Sequence, residues 1–236
     1  MATLFAGTSG FAYPAWKPEF YPADVATSKF LAHYAGRLNC VEINYTFRRM
    51  PQASTLESWV ASTPAGFVFA VKAHQRITHQ LRLHDAGETT EFFLKTLEPL
   101  RAAGKLGPVL FQLPPYLHRD VDRLDSFLSS LPAGLRTTVE FRHDSWLVDE
   151  VFEVLRRRGV ALCVAESEKF VVPNVATAGF VYERLRKPSY SDDDLAAIAA
   201  RTRRSLASGL DVYLVFKHEE TPTGALEAER LLRSAA

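Results

Sequence analysis

The sequence predicts an α/β fold, a TIM-type (β/α)8 barrel formed as one domain by residues 1–236. Three observations predict it. Eight short apolar runs of strand composition recur along the chain. Segments with apolar residues at helical spacing separate most of them. Polar residues fall late in the strands, where a parallel barrel opens its mouth.

The first strand reads LFAGTS, residues 4–9. A helix over 28–37 follows, because Phe30, Leu31 and Tyr34 share one face. CVEINYT (40–46) is the second strand, and 54–61, with Leu56 and Trp59, is the next helix. FVFAVKA (67–73) precedes a helix over 90–103 built on Phe92, Phe93, Leu97 and Leu100. PVLFQLP (108–114) leads to a helix over 121–131, and TTVEFR (137–142) to one over 147–158, with Gly159 as its C-terminal cap. VALCVAE (160–166) breaks the rhythm. The segment after it, ESEKFVVPNVATAG, holds a proline and no helical stripe, so the helix between the sixth and seventh strands is degenerate or missing. FVYERL (180–185), a helix over 191–206 opened by a Ser191/Asp194 capping box, DVYLVF (211–216) and a last helix over 226–232 complete the barrel.

Composition limits the function classes. Lys plus Arg is 28 against 27 for Asp plus Glu, so the charge of +1 carries no global nucleic-acid footprint, although a local patch remains open. The chain lacks the apolar run of roughly 18 residues that a membrane span needs, and no signal peptide is read at MATLFAGTSGF. A cytoplasmic protein is expected, with Cys40 and Cys163 as buried, reduced thiols. The oligomeric state stays open.

The stretch VEFRHDSW (139–146) focuses the functional question. Val139 and Phe141 alternate with Glu140 and Arg142, so one face of this strand is fully charged. The same alternation puts Glu42 and Asn44 on the second strand, Lys72 on the third, Gln112 on the fourth, and Tyr182 with Arg184 on the seventh. If the apolar alternates face the helices, these side chains meet inside the barrel. Glu42 and Glu140 then compensate two of Lys72, Arg142 and Arg184, and one positive charge is left for an anionic ligand. Arg142 and Arg184 suit a phosphate or carboxylate, because each guanidinium can bind it with two parallel hydrogen bonds. Glu140, followed on its face by Arg142, is the expected general base or acid, with Glu42 and Lys72 beside it; Asn44 and Gln112 orient the substrate. The competing reading is a self-satisfied polar plug. A two-carboxylate glycosidase is also open, since its defining separation cannot be read from sequence.

Other signals are weaker. His74 and His79 flank QRIT past the third strand and are expected at the mouth, His74 as a ligand contact. No HExxH or CxxC spacing is present, so no cofactor is expected and a divalent metal has no ligand pattern behind it. The turn GTSGF is glycine-rich enough to approach a phosphate. The aromatic segment FAYPAWKPEFYP (11–22) is either a stacking platform that uses Trp16 or a small aromatic core.

The motifs GTSGF, YAGRLNCVEINYTFRRMP, WVASTPAGFVFAVKAHQRITH, LGPVLFQLPP and VEFRHDSW occur in this order. Together they resemble the YecE-like family, domain of unknown function 72, most strongly from Leu4 to Trp146. The resemblance implies a TIM-type barrel. It implies no established activity, and its kinship with the endonuclease-IV and xylose-isomerase barrels suggests phosphodiester or sugar-phosphate ligands by fold analogy alone. The chain departs from the family pattern at the mouth. Arg48 stands where a tyrosine is usual, Arg186 and Lys187 replace a His–Gly pair, and Lys217–His218 replaces two asparagines. These changes imply a more basic mouth. The expected function is an enzyme acting on an anionic, phosphate-bearing small molecule or nucleic-acid terminus. The alternative is a non-catalytic protein that binds nucleic acid or a phosphorylated metabolite.

Overall fold

The structure is a computed structural model that describes residues 1–217 and 220–235. Eight parallel strands close into a barrel in sequential order: β1 Leu4–Ser9, β2 Cys40–Ile43, β3 Val68–Lys72, β4 Leu106–Gln112, β5 Thr137–Glu140, β6 Ala161–Ala165, β7 Phe180–Leu185 and β8 Asp211–Phe216. β1 pairs with β8 from Leu4↔Val212 to Thr8↔Phe216, which completes the ring. Every strand falls on a run predicted from the sequence, and several end one to three residues early.

The helices are α1 Phe30–Ala35, α2 Ala53–Ala61, α3 Gly87–Thr96, α4 Glu98–Ala102, α5 Val121–Ser129, α6 Asp149–Arg158, α7 Asp192–Ala207 and α8 Thr223–Ala235. The helix expected over 90–103 is split in two. Pro99 stands at the start of α4, where it lacks an N–H and clashes with the carbonyl four residues back, so the first helix stops at Thr96. No helix joins β6 to β7 among the described residues, as the proline-bearing segment implied. Gly159 caps α6 with a left-handed φ of 65°, and Ser191 and Asp194 form the reciprocal capping box of α7.

Two cores follow from strand alternation. The outer core, between barrel and helices, takes Val41, Ile43, Phe69, Val71, Phe111 and their like. The inner one holds Cys40, Ala70, Leu110, Cys163, Tyr182 and Tyr213, with Phe5 stacked on Tyr213 at 4.7 Å. Cys40 and Cys163 are both buried and unpaired, as expected. At the amino-terminal end of the barrel Arg136 pairs with Asp211 at 2.7 Å and donates to the Tyr213 hydroxyl at 2.8 Å. The interior is therefore an apolar floor beneath a polar ceiling.

Tyr34 of α1 ties β1 to β2. Its hydroxyl accepts from the Thr8 N–H at 2.8 Å and donates to the Cys40 carbonyl at 2.8 Å. Burial raises this phenol well above its usual range, so it stays protonated and able to donate. Gly7 makes the approach possible, since a Cβ there would sit 1.8 Å from the Cys40 carbonyl oxygen.

Tyr34→Phe is expected to strand that buried N–H and carbonyl and to cost about 2 kcal/mol, measured by urea unfolding. A cost within ±0.5 kcal/mol, the range of a neutral surface change, would show that water replaces the hydroxyl.

Candidate functional site

The ceiling is built from the last inward residue of six strands. Strand register aligns Ser9 with Glu42, Lys72 with Leu110, Gln112 with Glu140 and Ala165 with Arg184. The ionic alternates therefore converge inside the barrel, as the sequence pattern implied. Their geometry differs from the expected anion clamp.

Arg184 is the hub. It is 2% exposed, and its two terminal nitrogens bridge the carboxylates of Glu42 and Glu140, each at 2.7 Å. Glu42 also accepts from the Tyr182 hydroxyl at 2.8 Å, the Ser9 hydroxyl at 3.0 Å and the Asn44 amide at 3.0 Å. Glu140 accepts from Gln112 at 3.0 Å and from Arg186 at 2.7 Å. Burial alone would raise both carboxyls. For Glu42 the Arg184 charge and the Tyr182 and Asn44 hydrogen bonds outweigh it and hold the group below its usual range. For Glu140 the Arg184 and Arg186 charges and the Gln112 bond bring it down to about 2.

Several expectations are corrected here. Glu140 and Glu42 are not poised as general bases. Glu140, down to about 2, is a poor proton acceptor at neutral pH, Glu42 is likewise held below its usual range, and the oxygens of both are occupied. The glycosidase reading gains no support here, since Arg184 bridges the two carboxylates. Arg184 is no free anion contact, because its charge is balanced by the glutamates. Tyr182 is fully buried and positions Glu42 rather than a ligand. Arg142 does not share the buried face of Glu140. The strand ends at Glu140, alternation stops governing direction, and Arg142 is exposed at the rim. Phe141 and Trp146 stack beneath that rim at 4.9 Å.

The aromatic segment is a small core. Trp16 is fully buried, stacked against Tyr21 and edge-on to Phe20, so it has no free face for a ligand. Arg37 covers Phe20 from outside at 4.1 Å. The glycine-rich turn offers no phosphate cradle at Gly10, whose N–H is bound to the Thr8 and Glu42 carbonyls. His74 reaches the mouth half-buried, and its Nδ1 accepts from its own loop at Arg76 N.

Lys72 is the cation left over. Its Nζ donates to Gln112 Oε1 at 2.8 Å and lies 4.1 Å from the centre of the Phe47 ring. Among the described residues no carboxylate is within ion-pair distance of Lys72 or of Arg142. Partial burial first, then the Arg184 and Arg142 charges, outweigh the two glutamates and bring the Lys72 ammonium down to about 8. His79 packs edge-on to the same Phe47 ring at 4.8 Å; burial and the charges of Lys72 and Arg142 lower it too. The loop that carries His79 continues through Arg82, Leu83 and Asp85, three non-glycine residues with φ of 52°, 66° and 47°. Such backbone costs roughly 1 kcal/mol per residue and is held here by buried Ile77 and Leu83.

Beside the ceiling opens a pocket of about 280 Å³, lined by Glu140, Arg142, Glu166, Lys169 and Arg186 among others. Two of the basic family departures are neutralised: Arg186 pairs with Glu140, and Lys187 with Asp194 at 2.7 Å. Arg48 is exposed, and His218 lies outside the described residues. No group of three or more His, Cys, Asp or Glu side chains gathers in metal-binding fashion among the described residues. Sequence reasoning placed Ser9 only in a glycine-rich turn, giving its side chain no role, and gave Phe47 no part in this site. Ser9 was readable as the next inward position on β1, whereas nothing in the spacing marks Phe47.

The comparisons fit this architecture. A family model described as a protein of unknown function, DUF72, matches residues 5–236. UPF0759 protein YunF of Bacillus subtilis (strain 168) is 31% identical over 143 residues, 56% of this chain and 49% of that protein. UPF0759 protein YecE of Escherichia coli (strain K12) is 32% identical over 131 residues, 55% of this chain and 47% of that protein. The chain thus spans about half the length of the curated relatives it matches. A crystal structure of a DUF72 family protein (TM1631) from Thermotoga maritima MSB8 superposes with a TM-score of 0.86 at 26% identity, covering 98% of both chains. No helix among the described residues is long and apolar enough to cross a membrane.

Glu140→Gln is expected to leave the two arginines short of a buried counter-charge and to cost on the order of 3 kcal/mol in urea unfolding. The Glu140 carboxyl is depressed in the folded state, so its stabilisation is present above pH 4.5 and disappears as pH falls towards about 2. A Glu140→Gln protein whose stability between pH 4.5 and 2 falls as steeply as the parent's would contradict the assignment.

Proposed function

The chain belongs to the DUF72 family, and we propose that it is an enzyme acting on an anionic, phosphate-bearing small molecule at the carboxyl-terminal mouth of its barrel. One observation carries the reading: the ionic ceiling balances two carboxylates with two arginines and leaves Lys72 without a counter-ion. A cation held this way is stabilised by an incoming anion. Arg142, exposed at the rim and unpaired among the described residues, is the second contact, and its fork suits a phosphate. Lys72 replaces Glu140 as the group that moves a proton, because an amine near 8 exchanges protons at neutral pH. Gln112 fixes the ammonium. Asn44, half-buried, donates to Ser9 and Glu42, and His74 and His79 follow β3 at the same end of the barrel. The reading calls on no cofactor. Two unpaired thiols accord with a reducing cytoplasm.

A second reading has one observation in its favour. Tyr45 and Tyr116 expose 38% and 60% of their surface on mouth loops that also present Arg48, Arg49 and Arg142. Aromatic faces beside arginines suit a single-stranded nucleic acid, whose binding would weaken steeply with salt.

Phosphate at 10 times its Kd is expected to stabilise the parent by about 1.4 kcal/mol, read as a rise in Tm. The rise should vanish in Lys72→Met and shrink in Arg142→Ala. Because Lys72 loses its charge above its pKa, the effect should fade as pH climbs through about 8. A phosphate effect of equal size in Lys72→Met would remove the reading. A salt-sensitive shift with an oligonucleotide, but none with phosphate, would favour the second.

A further inference from the structure

We propose that Lys72 is a carbonyl-reactive amine, whose Nζ condenses with the aldehyde or ketone of an anionic small molecule to form an imine. The inference rests on the mouth being the ligand site and goes beyond it by naming the reacting bond.

The chain supplies its own contrast. Lys72 is half-buried and Lys105 buried, but the Lys105 ammonium donates to the Val60 carbonyl at 2.9 Å, the Thr63 carbonyl at 2.6 Å and the Thr63 hydroxyl at 2.8 Å. All three N–H bonds are occupied, and Lys105 is a structural tie. Lys187 and Lys95 are exposed and paired with Asp194 and Glu91. Lys72 has one hydrogen-bond acceptor, no carboxylate among the described residues, and a position at the carboxyl end of a barrel strand. Its single acceptor is fixed. Gln112 donates its amide to Glu140, so its carbonyl oxygen must face Lys72. One N–H is thereby committed to Gln112, the Phe47 ring lies 4.1 Å from Nζ, and no further side chain among the described residues accepts from the nitrogen.

The chemistry balances without an oxidant or reductant. The neutral nitrogen adds its lone pair to the carbonyl carbon, and the carbon–oxygen π pair moves to oxygen. A proton passes from nitrogen to that oxygen, which then leaves as water as the C=N bond forms. One water is released, and the imine takes up a proton to become an iminium. The proton passes through solvent; His79 shares the Phe47 ring with Lys72, but its Nδ1 is engaged with the Thr78 hydroxyl at 2.8 Å. The neutral amine is available near neutral pH because burial and the Arg184 and Arg142 charges disfavour the ammonium. The same surplus of positive charge selects a substrate with a carboxylate or phosphate beside its carbonyl.

Reductive trapping tests this. The chain is incubated at pH 7 with pyruvate, and separately with glyceraldehyde 3-phosphate, in the presence of cyanoborohydride. Intact mass and peptide mapping locate the adducts. One adduct per chain is expected, on Lys72, at least tenfold over Lys29 or Lys95, and absent in Lys72→Arg. Adducts spread evenly over surface lysines, or no adduct on Lys72, would overturn the proposal. Should Lys72→Arg not fold, formaldehyde methylation of the parent across pH decides between the same outcomes. Lys72 labelling that levels off near pH 8 supports the amine, and labelling that rises in step with Lys95 refutes it. Phosphate stabilisation without an adduct keeps the anion site and removes the imine. An adduct without phosphate stabilisation keeps the imine and removes the anion site.

Discussion

One buried guanidinium organises the interior of this barrel. Arg184 reaches two carboxylates from strands on opposite sides of the ring, at 2.7 Å each, where almost no water reaches. Charges in such a place are tolerated only when fully paired and hydrogen-bonded. The two glutamates meet that condition, whereas Arg184 Nε and Arg186 Nε are buried without a hydrogen-bond partner and Lys72 has no carboxylate among the described residues. Tyr182, Ser9 and Asn44 complete Glu42, while Gln112 and Arg186 complete Glu140. The network joins β1, β2, β4, β5 and β7 above the apolar floor, so it closes the barrel as well as furnishing its mouth. β7 shows the same economy on its outer face, where Glu183 is gripped by Arg201 of α7.

The barrel was legible because its signals are local. Period-two alternation, a cap such as Ser191/Asp194 and a proline in the segment before β7 each act within a few residues. Inward direction was legible for Glu42, Lys72, Gln112, Glu140 and Arg184, because the strands holding them are regular up to those positions. Arg142 was misplaced because its strand ends two residues earlier, where the last ladder bond runs from Leu113 N–H to the Glu140 carbonyl. Partner choice was not legible at all. Arg186 appeared as an added mouth charge, yet it lies close enough to Glu140 to displace Lys72 as that carboxylate's partner. Which of three cations two anions take is decided by side-chain reach across the ring, and no sequence spacing encodes that.

That choice makes the site chemically uneven. Were Lys72 paired with Glu140, its ammonium would be stabilised and inert. With Arg186 in that role, Lys72 is left to Gln112, a neutral acceptor, beneath the repulsion of Arg184. The arginines cannot give up protons in this range, so the strain of the surplus charge falls on the lysine and on neighbouring His79. Three fixed ion pairs thus tune a separate, titratable group.

The sign of that tuning separates the ceiling's two halves. Glu140 is depressed in the direction that stabilises the fold, so above pH 4.5 the protein gains from keeping it charged. Lys72 is depressed in the direction that destabilises it. Between about 8 and 10.5 the unfolded chain keeps a proton that the folded chain has released, so stability rises with pH across that window. Below it, the folded protein carries the full cost of an unneutralised ammonium. A structural plug would gain by replacing such a lysine with a neutral side chain. A site that receives an anion recovers the cost whenever its ligand arrives, and this asymmetry is the strongest physical reason to read the mouth as functional.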